Sequence, residues 1–205
     1  MISIEQARRY YEGADAVHDF DHVLRVLATA ERLAVQEGAD VEIVRAAALL
    51  HDVARGQGDR LTTDHAAEGA RMVRTILEGQ PAARLEALAH AVAAHRFRAG
   101  PDPQSLEAKV LHDADKLDAI GAIGIARAFA YGGLEGQRLW ATVAPGYRES
   151  VASRQDHTPV HEYHLKLVRI KDRLLTDSAR RIADQRHAFM VAFFERLDDE
   201  VLGSA

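Results

Sequence analysis

The sequence predicts an all-α protein, and three observations carry that expectation. Apolar residues recur at three- and four-residue spacing, as in Val23, Val26, Leu27, Ala30, Leu33 and Ala34, the pattern of a helix with one buried face. Sustained two-residue alternation of β-branched residues, the mark of a half-buried strand, does not occur. Capping residues and glycine stops bracket the periodic segments.

The elements follow in order. Ser3 with Gln6 forms a capping box for a helix over 4–12, stopped by Gly13. Asp19 or Asp21 opens the second helix, which Gly38 closes. Asp40 caps a third, through Ile43, Val44, Ala47, Ala48 and Leu50 to His51 and Asp52, ending before Gly56. A fourth covers 64–77, between the loop RGQGD and Gly79. Pro81, a favoured first helical residue, starts a fifth that reaches His95. The run RAGPDPQ is a turn-rich connection. Ser105 opens a sixth helix through Val110, Leu111 and Leu117; Gly121 and Gly124 interrupt the pattern, and apolar residues continue to Tyr131. Residues 132–157 lack periodicity and read as a lid or a short helix without a clear signal. Helices over 159–175 and 178–202 finish the chain, the second capped by Thr176 or Asp177.

With 14 Gly and 5 Pro in 205 residues, breakers are few, and one domain over 1–205 is expected, with its core over about 15–131 and C-terminal helices over about 159–202. The absence of Cys excludes a disulfide scaffold, a Cys-ligated zinc site, an iron–sulfur cluster and a thiol nucleophile. A net charge of −5 argues against bulk nucleic-acid or anionic-membrane binding, yet leaves room for a local basic pocket for phosphate. No apolar run approaches the roughly 18 residues of a membrane span. The start MISIEQARRY lacks a signal h-region, and a cytoplasmic location is expected. Eleven His in a Cys-free chain point to where chemistry resides.

His51-Asp52 is the centre of that reading. Both end an otherwise apolar helix, AAALLHDVARG, where an Asp is costly unless paired or metal-bound. A neutral imidazole beside a carboxylate suits a divalent cation. Adjacent helix positions diverge by about 100°, so other helices must complete a shell. The alternative is a capping His with a solvated Asp. His22, in HDFDHVLRV, stands at a helix start four residues after His18, as a donor or as part of a polar helix entrance. In KVLHDADKLDAIG, Asp113, Asp115 and Asp118 crowd an apolar segment and repel unless a cation compensates. Asp115 and Asp118 share a face, Asp113 turns away, and Lys116 offers a phosphate-reading cation; a charged helix face is the plainer reading.

Taken together, His22, then His51-Asp52, then Asp115 resembles the H…HD…D signature of the HD-domain metal-dependent phosphohydrolase superfamily. The runs HDFDHVLRV, AALLHDV, AVAAHRF, SLEAKVLHDADKLDAIGAIGIAR and RIADQRHAFM resemble one bacterial branch of it, which includes nucleoside-triphosphate pyrophosphohydrolases; the similarity covers most of residues 15–200. The resemblance implies a single HD-type helical fold with a metal site between helices. It makes His22, His51, Asp52 and Asp115 the ligands of one divalent ion, with Mn²⁺ favoured and Fe²⁺, Ni²⁺, Zn²⁺ or Mg²⁺ as alternatives. Asp52 and Lys116 are the expected catalytic residues. Arg25, His95, Lys116, Lys166 and Arg186 are the expected substrate contacts. His95 could instead serve a second metal, His65 lies near the expected substrate, and Asp118 could orient a ligand His. His90 and His95, five residues apart, should not bind one ion together. Among Lys166, Lys171, Arg181 and Arg186, the alternative to polyphosphate binding is a solvated face of ion pairs. The branch's HFYEKL-like run appears here as VHEYHLKL, so His161, Glu162 and His164 receive no role.

HExxH, P-loop and GxSxG motifs are absent. The expected activity is hydrolysis of a phosphate ester or anhydride in a small phosphorylated substrate. A nucleotide is favoured, with a nucleoside triphosphate giving monophosphate and pyrophosphate. The alternatives are a phosphomonoesterase or phosphodiesterase at the same site, or a non-catalytic nucleotide-sensing protein.

Overall fold

Every regular element among the described residues is a helix, and the apolar spacing seen in the sequence is the face that each one buries. The computed structural model describes residues 2–11, 20–55, 65–96, 100–147 and 155–204. In chain order the helices are α1 (Ile4–Arg8), α2 (Phe20–Glu37), α3 (Val41–Leu50), α4 (His65–Ile76), α5 (Ala82–Ala93), α6 (Leu106–Asp118), α7 (Gly121–Leu134), α8 (Pro159–Leu165) and α9 (Asp177–Leu202). Two compact units divide the chain: Met1–Lys116 with Leu175–Ala179, and Leu117–Leu174 with Arg180–Ala205.

In the first unit, α3 packs on α2 and on α5, and α5 packs on α4. Ala46, Ala47, Ala48, Leu49 and Leu50 are all buried, so α3 has almost no solvent face at its C-terminal end. Asp40 caps its start, accepting from the Glu42 and Ile43 amides at 2.9 and 3.1 Å. The Ser3 and Gln6 capping box also forms. The helix expected over 4–12 is shorter: α1 ends at Arg8 and tightens into a 3₁₀ turn, Arg9–Tyr11. There the Tyr11 hydroxyl donates to the Leu49 carbonyl at 3.0 Å, inside the core. Gly13, His18, Asp19 and residues 56–59 of the RGQGD loop lie outside the described residues.

The crowded carboxylates of α6 are resolved one by one. Asp113 is fully buried and accepts from the Leu175 amide, from the amide and hydroxyl of Thr176, and from His112 Nδ1. This anchors Leu175–Ala179 in the first unit. Asp115 pairs with Lys116, and Asp118, in the second unit, accepts from Arg127 at 2.9 Å.

In the second unit, Phe129 of α7, Tyr163 of α8 and Phe194 of α9 form an aromatic core, with Tyr163 stacked on Phe194 at 4.1 Å. The glycines that interrupt the sequence pattern permit close approach. A Cβ on Gly124 would stand 2.2 Å from the Ala119 carbonyl oxygen, and Gly121 has φ +75° with Arg186 against it. The segment 135–147 carries no further helix; Trp140 fastens it by donating to Asp198 at 2.6 Å. The helix expected over 159–175 is broken. α8 ends at Leu165, and two 3₁₀ turns follow, Leu167–Arg169 and Lys171–Arg173. Leu167 and Ile170, three apart, are both buried, a spacing that a three-residue turn places on one side. No single described helix is long and apolar enough to cross a membrane.

Candidate metal centre

The buried face of α3 runs on into His51 and Asp52, so the helix ends inside the protein rather than in water. His51 is fully buried. Its Nδ1 lies 2.8 Å from the Ala48 carbonyl. A carbonyl only accepts, so that contact assigns the ring proton to Nδ1 and leaves the Nε2 lone pair facing inward. That Nε2 is 3.2 Å from Nε2 of His22, which α2 supplies from its first turn. His95, just past the end of α5, repeats the device: Nδ1 lies 2.6 Å from the Val92 carbonyl and Nε2 turns toward Asp52.

Asp52 stands between two sets of imidazoles. Its Oδ2 is 3.6 Å from His51 Nε2, 3.8 Å from His22 Nε2 and 2.9 Å from Arg55 Nε. Its Oδ1 is 3.5 Å from His95 Nε2 and 4.0 Å from His65 Nε2, and although buried it has no hydrogen bond in good geometry. Asp115 approaches from α6, with Oδ1 3.5 Å from His22 Nε2. Two donor groups result, His22–His51–Asp52 and Asp52–His65–His95, each with ligand atoms within 4.8 Å of one another.

The electrostatics separate the charges cleanly. Burial pushes the His51 imidazole down to about 4, so it is neutral at pH 7. Burial, then Arg55, takes His65 down to about 4 as well. Burial alone would raise Asp52, but His51, His95 and Arg55 outweigh it and hold the carboxyl well below the usual range. Burial also opposes ionisation of Asp115, and Lys116 with the histidines overrides it. A buried anion, Asp52, and a half-buried one, Asp115, beside the neutral imidazoles of His51 and His65, with one carboxylate oxygen lacking a donor, form a donor set that a divalent cation satisfies. The residues therefore fit the metal that the sequence pattern implies.

All four expected ligands come together, and His65 and His95 join them around Asp52. Lys116 is buried, with its ammonium on Asp115 Oδ2 at 2.6 Å and on the His95 carbonyl at 2.8 Å. Arg25 is half-buried on α2, one turn beyond His22. Lys166 and Arg186 belong to the second unit, where Lys166 pairs with Glu162 and Arg186 donates to the Leu117 carbonyl. His90 accepts from the Gln104 amide. Backbone carbonyls, at Ala48 and Val92, orient the His51 and His95 rings. Arg55 was not anticipated; its signal is its place three residues after Asp52, one helical turn away.

The HD domain family model matches residues 19–120. YpgQ of Bacillus subtilis is 34% identical over 193 residues, covering 91% of this chain and 85% of YpgQ. The crystal structure of Bacillus subtilis YpgQ in complex with ADP superposes with a TM-score of 0.74 at 30% identity, over 97% of this chain and 98% of that one. An HD-superfamily hydrolase from Bacillus thuringiensis gives 0.70 at 30% identity, over 96% and 93%.

Proposed function

The chain belongs to the HD-domain family and is a metal-dependent phosphohydrolase, and from that premise we propose that it cleaves a phosphoanhydride bond of a nucleotide. The observation that carries this reading is Asp52: a buried carboxylate, ionised, whose Oδ1 lacks a donor while the neutral imidazoles of His51 and His65 face its two oxygens. We assign His22, His51, Asp52 and Asp115 as ligands of one divalent ion, with Mn²⁺ favoured over Fe²⁺, Ni²⁺, Zn²⁺ and Mg²⁺ for a mixed nitrogen and oxygen shell. Bound there, the ion supplies an acidified water and neutralises phosphate charge.

The remaining work falls to the chain's own groups. Asp52 Oδ1, anionic and without a hydrogen-bond donor, would accept a hydrogen bond from a water and so orient it toward phosphorus. Arg55 keeps its Nε on Asp52 and, with its side chain about a third exposed, turns guanidinium charge toward an incoming phosphate. His95 and Arg25 flank the phosphate. Lys166 and Arg186 keep the phosphate-binding role that the family resemblance suggests for them, and Lys166 would have to release Glu162 to take it. Asp52 with His65 and His95 has the right donors for a further ion. The nucleotide assignment is supported by YpgQ having been crystallised with ADP.

The test is a nucleotide panel with Mn²⁺ in ¹⁸O-labelled water. Label in the nucleoside monophosphate, with unlabelled pyrophosphate released, is expected. Labelled orthophosphate with nucleoside diphosphate from a triphosphate would move the cut to the terminal anhydride, and labelled orthophosphate from a nucleoside monophosphate would replace this reading with a phosphomonoesterase. No turnover of any nucleotide by metal-loaded protein would leave a nucleotide-sensing protein.

A further inference from the structure

We propose that Lys116 is a positioning residue of the metal centre: its ammonium ties the Asp115 carboxylate to the turn that carries His95, and so fixes which oxygen Asp115 offers to a divalent ion. This rests on the metal reading above and assigns Lys116 a different task from the substrate contact that the sequence suggests.

The contact between Lys116 and Asp115 is not one that a helix supplies by itself. Adjacent residues of a helix point about 100° apart and do not face each other. Lys116 Nζ nevertheless lies 2.6 Å from Asp115 Oδ2, and the lysine is only 7% exposed. What draws the side chain inward is the His95 carbonyl at 2.8 Å. That carbonyl follows the end of α5, where the last carbonyls lack helical partners and a cation is favoured. Lys116 thus closes the end of α5 from α6.

Two consequences meet at the centre. With Oδ2 held by the ammonium, Asp115 presents Oδ1 toward His22 Nε2, at 3.5 Å, and would offer that one oxygen to a divalent ion. The His95 ring is set by its own backbone, through Nδ1 on the Val92 carbonyl, and Lys116 pins the next part of that turn. One ammonium therefore registers donors from α6 and from the α5 turn against each other.

The test measures Mn²⁺ affinity by calorimetry, the visible spectrum of the Co²⁺ form, and KM at saturating metal, in Lys116→Met, Asp115→Asn and the double variant. Lys116→Met should weaken Mn²⁺ binding about 10–100-fold, the usual effect of removing a group that orients a ligand. The Co²⁺ spectrum should change, and KM at saturating Mn²⁺ should stay within about twofold, since KM senses uniform substrate binding. In the Asp115→Asn background the lysine substitution should cost less than about threefold more, because its partner is already gone. The double variant removes both charges of the pair and keeps the comparison available should Lys116→Met fail to fold. Lys116→Arg retains the cation and should bind Mn²⁺ within about fivefold of the unsubstituted protein. Unchanged Mn²⁺ affinity with a raised KM would make Lys116 a substrate contact, and additive losses in the double variant would break its link to Asp115; either overturns the proposal. An unsubstituted protein that binds no divalent ion would instead overturn the metal reading, and this one with it.

Discussion

His51 and His22 meet Nε2 to Nε2 at 3.2 Å, with the His51 ring proton committed to the Ala48 carbonyl. Asp52 Oδ2 stands within 3.8 Å of both nitrogens. A lone pair on His51 aimed at another ring, beside an ionised carboxylate, is an arrangement that a cation between them would relieve.

The carboxylates should therefore decide metal content. Asp52→Ala and Asp115→Ala should each lower divalent affinity by about 100-fold or more, by removal of an anionic ligand. The helical content should persist, because the core of the first unit is apolar packing by α2, α3 and α5. Elemental analysis after gel filtration checks this. Unchanged stoichiometry in both variants would remove Asp52 and Asp115 from the ligand set.

The two nitrogens of His51 should be separable. Asn offers an amide near the Nδ1 position and Gln one near Nε2. His51→Asn should keep the contact to Ala48 and fold, yet lose metal by about 10–100-fold. His51→Gln should retain more metal and less stability. Titration with Mn²⁺, alongside urea unfolding, measures both. The reverse order would mean that the Nδ1 contact to Ala48 matters more for the centre than the Nε2 lone pair.

Much of this centre is legible in the sequence because burial and polarity conflict there. An apolar run that ends in His51-Asp52 announces a buried polar pair, and Val110, Leu111 and Leu117 force the carboxylates of α6 inward. His95 and His65 are less legible. Their approach to Asp52 depends on the turn after α5 and on the packing of α4 against α5, which no local spacing encodes. The pairing of Lys116 with its neighbour contradicts helix geometry unless the His95 carbonyl is known. The break after α8 is hidden for another reason: Leu165, Leu167, Ile170 and Leu174 satisfy a helical pattern nearly as well as they satisfy 3₁₀ turns.

The buried acceptor Asp113 should be worth more than a surface carboxylate. It receives two backbone amides, the Thr176 hydroxyl and His112. Asp113→Ala strands these donors at about 1–3 kcal/mol for each buried group left unpaired, so a loss of about 3 kcal/mol or more is expected in chemical denaturation. Proteolysis near Leu175–Ala179 should accelerate first, since that segment is what the carboxylate anchors. A loss below about 0.5 kcal/mol, the range of ordinary surface substitutions, would show that water replaces the carboxylate without cost.

Glu162 sets a pH dependence of stability in the second unit. Burial pushes its carboxyl up, but a hydrogen bond with His157 at 3.3 Å and the ion pair with Lys166 prevail and bring it down to about 2, from an ordinary value of 4.5. The folded pKa lies below the unfolded one, so the unfolded chain binds the proton more readily. Glu162 therefore contributes its full stabilisation above about pH 4.5, and the contribution drains away as pH falls from there toward 2. The carboxylate is about a quarter exposed, and solvent screening reduces the ideal linkage energy to about 1–3 kcal/mol. Glu162→Gln should lower stability by that amount at pH 7 and by much less at pH 2.5, so the difference between the two proteins narrows through the acid limb. Urea denaturation at half-unit intervals from pH 7 to 2.5 reads it directly. Lys166→Met should produce part of the same loss at pH 7, because one of the two favourable partners is removed while His157 remains. A constant difference between Glu162→Gln and the unsubstituted protein across that range would show that Glu162 stabilises the fold by packing and not by its charge.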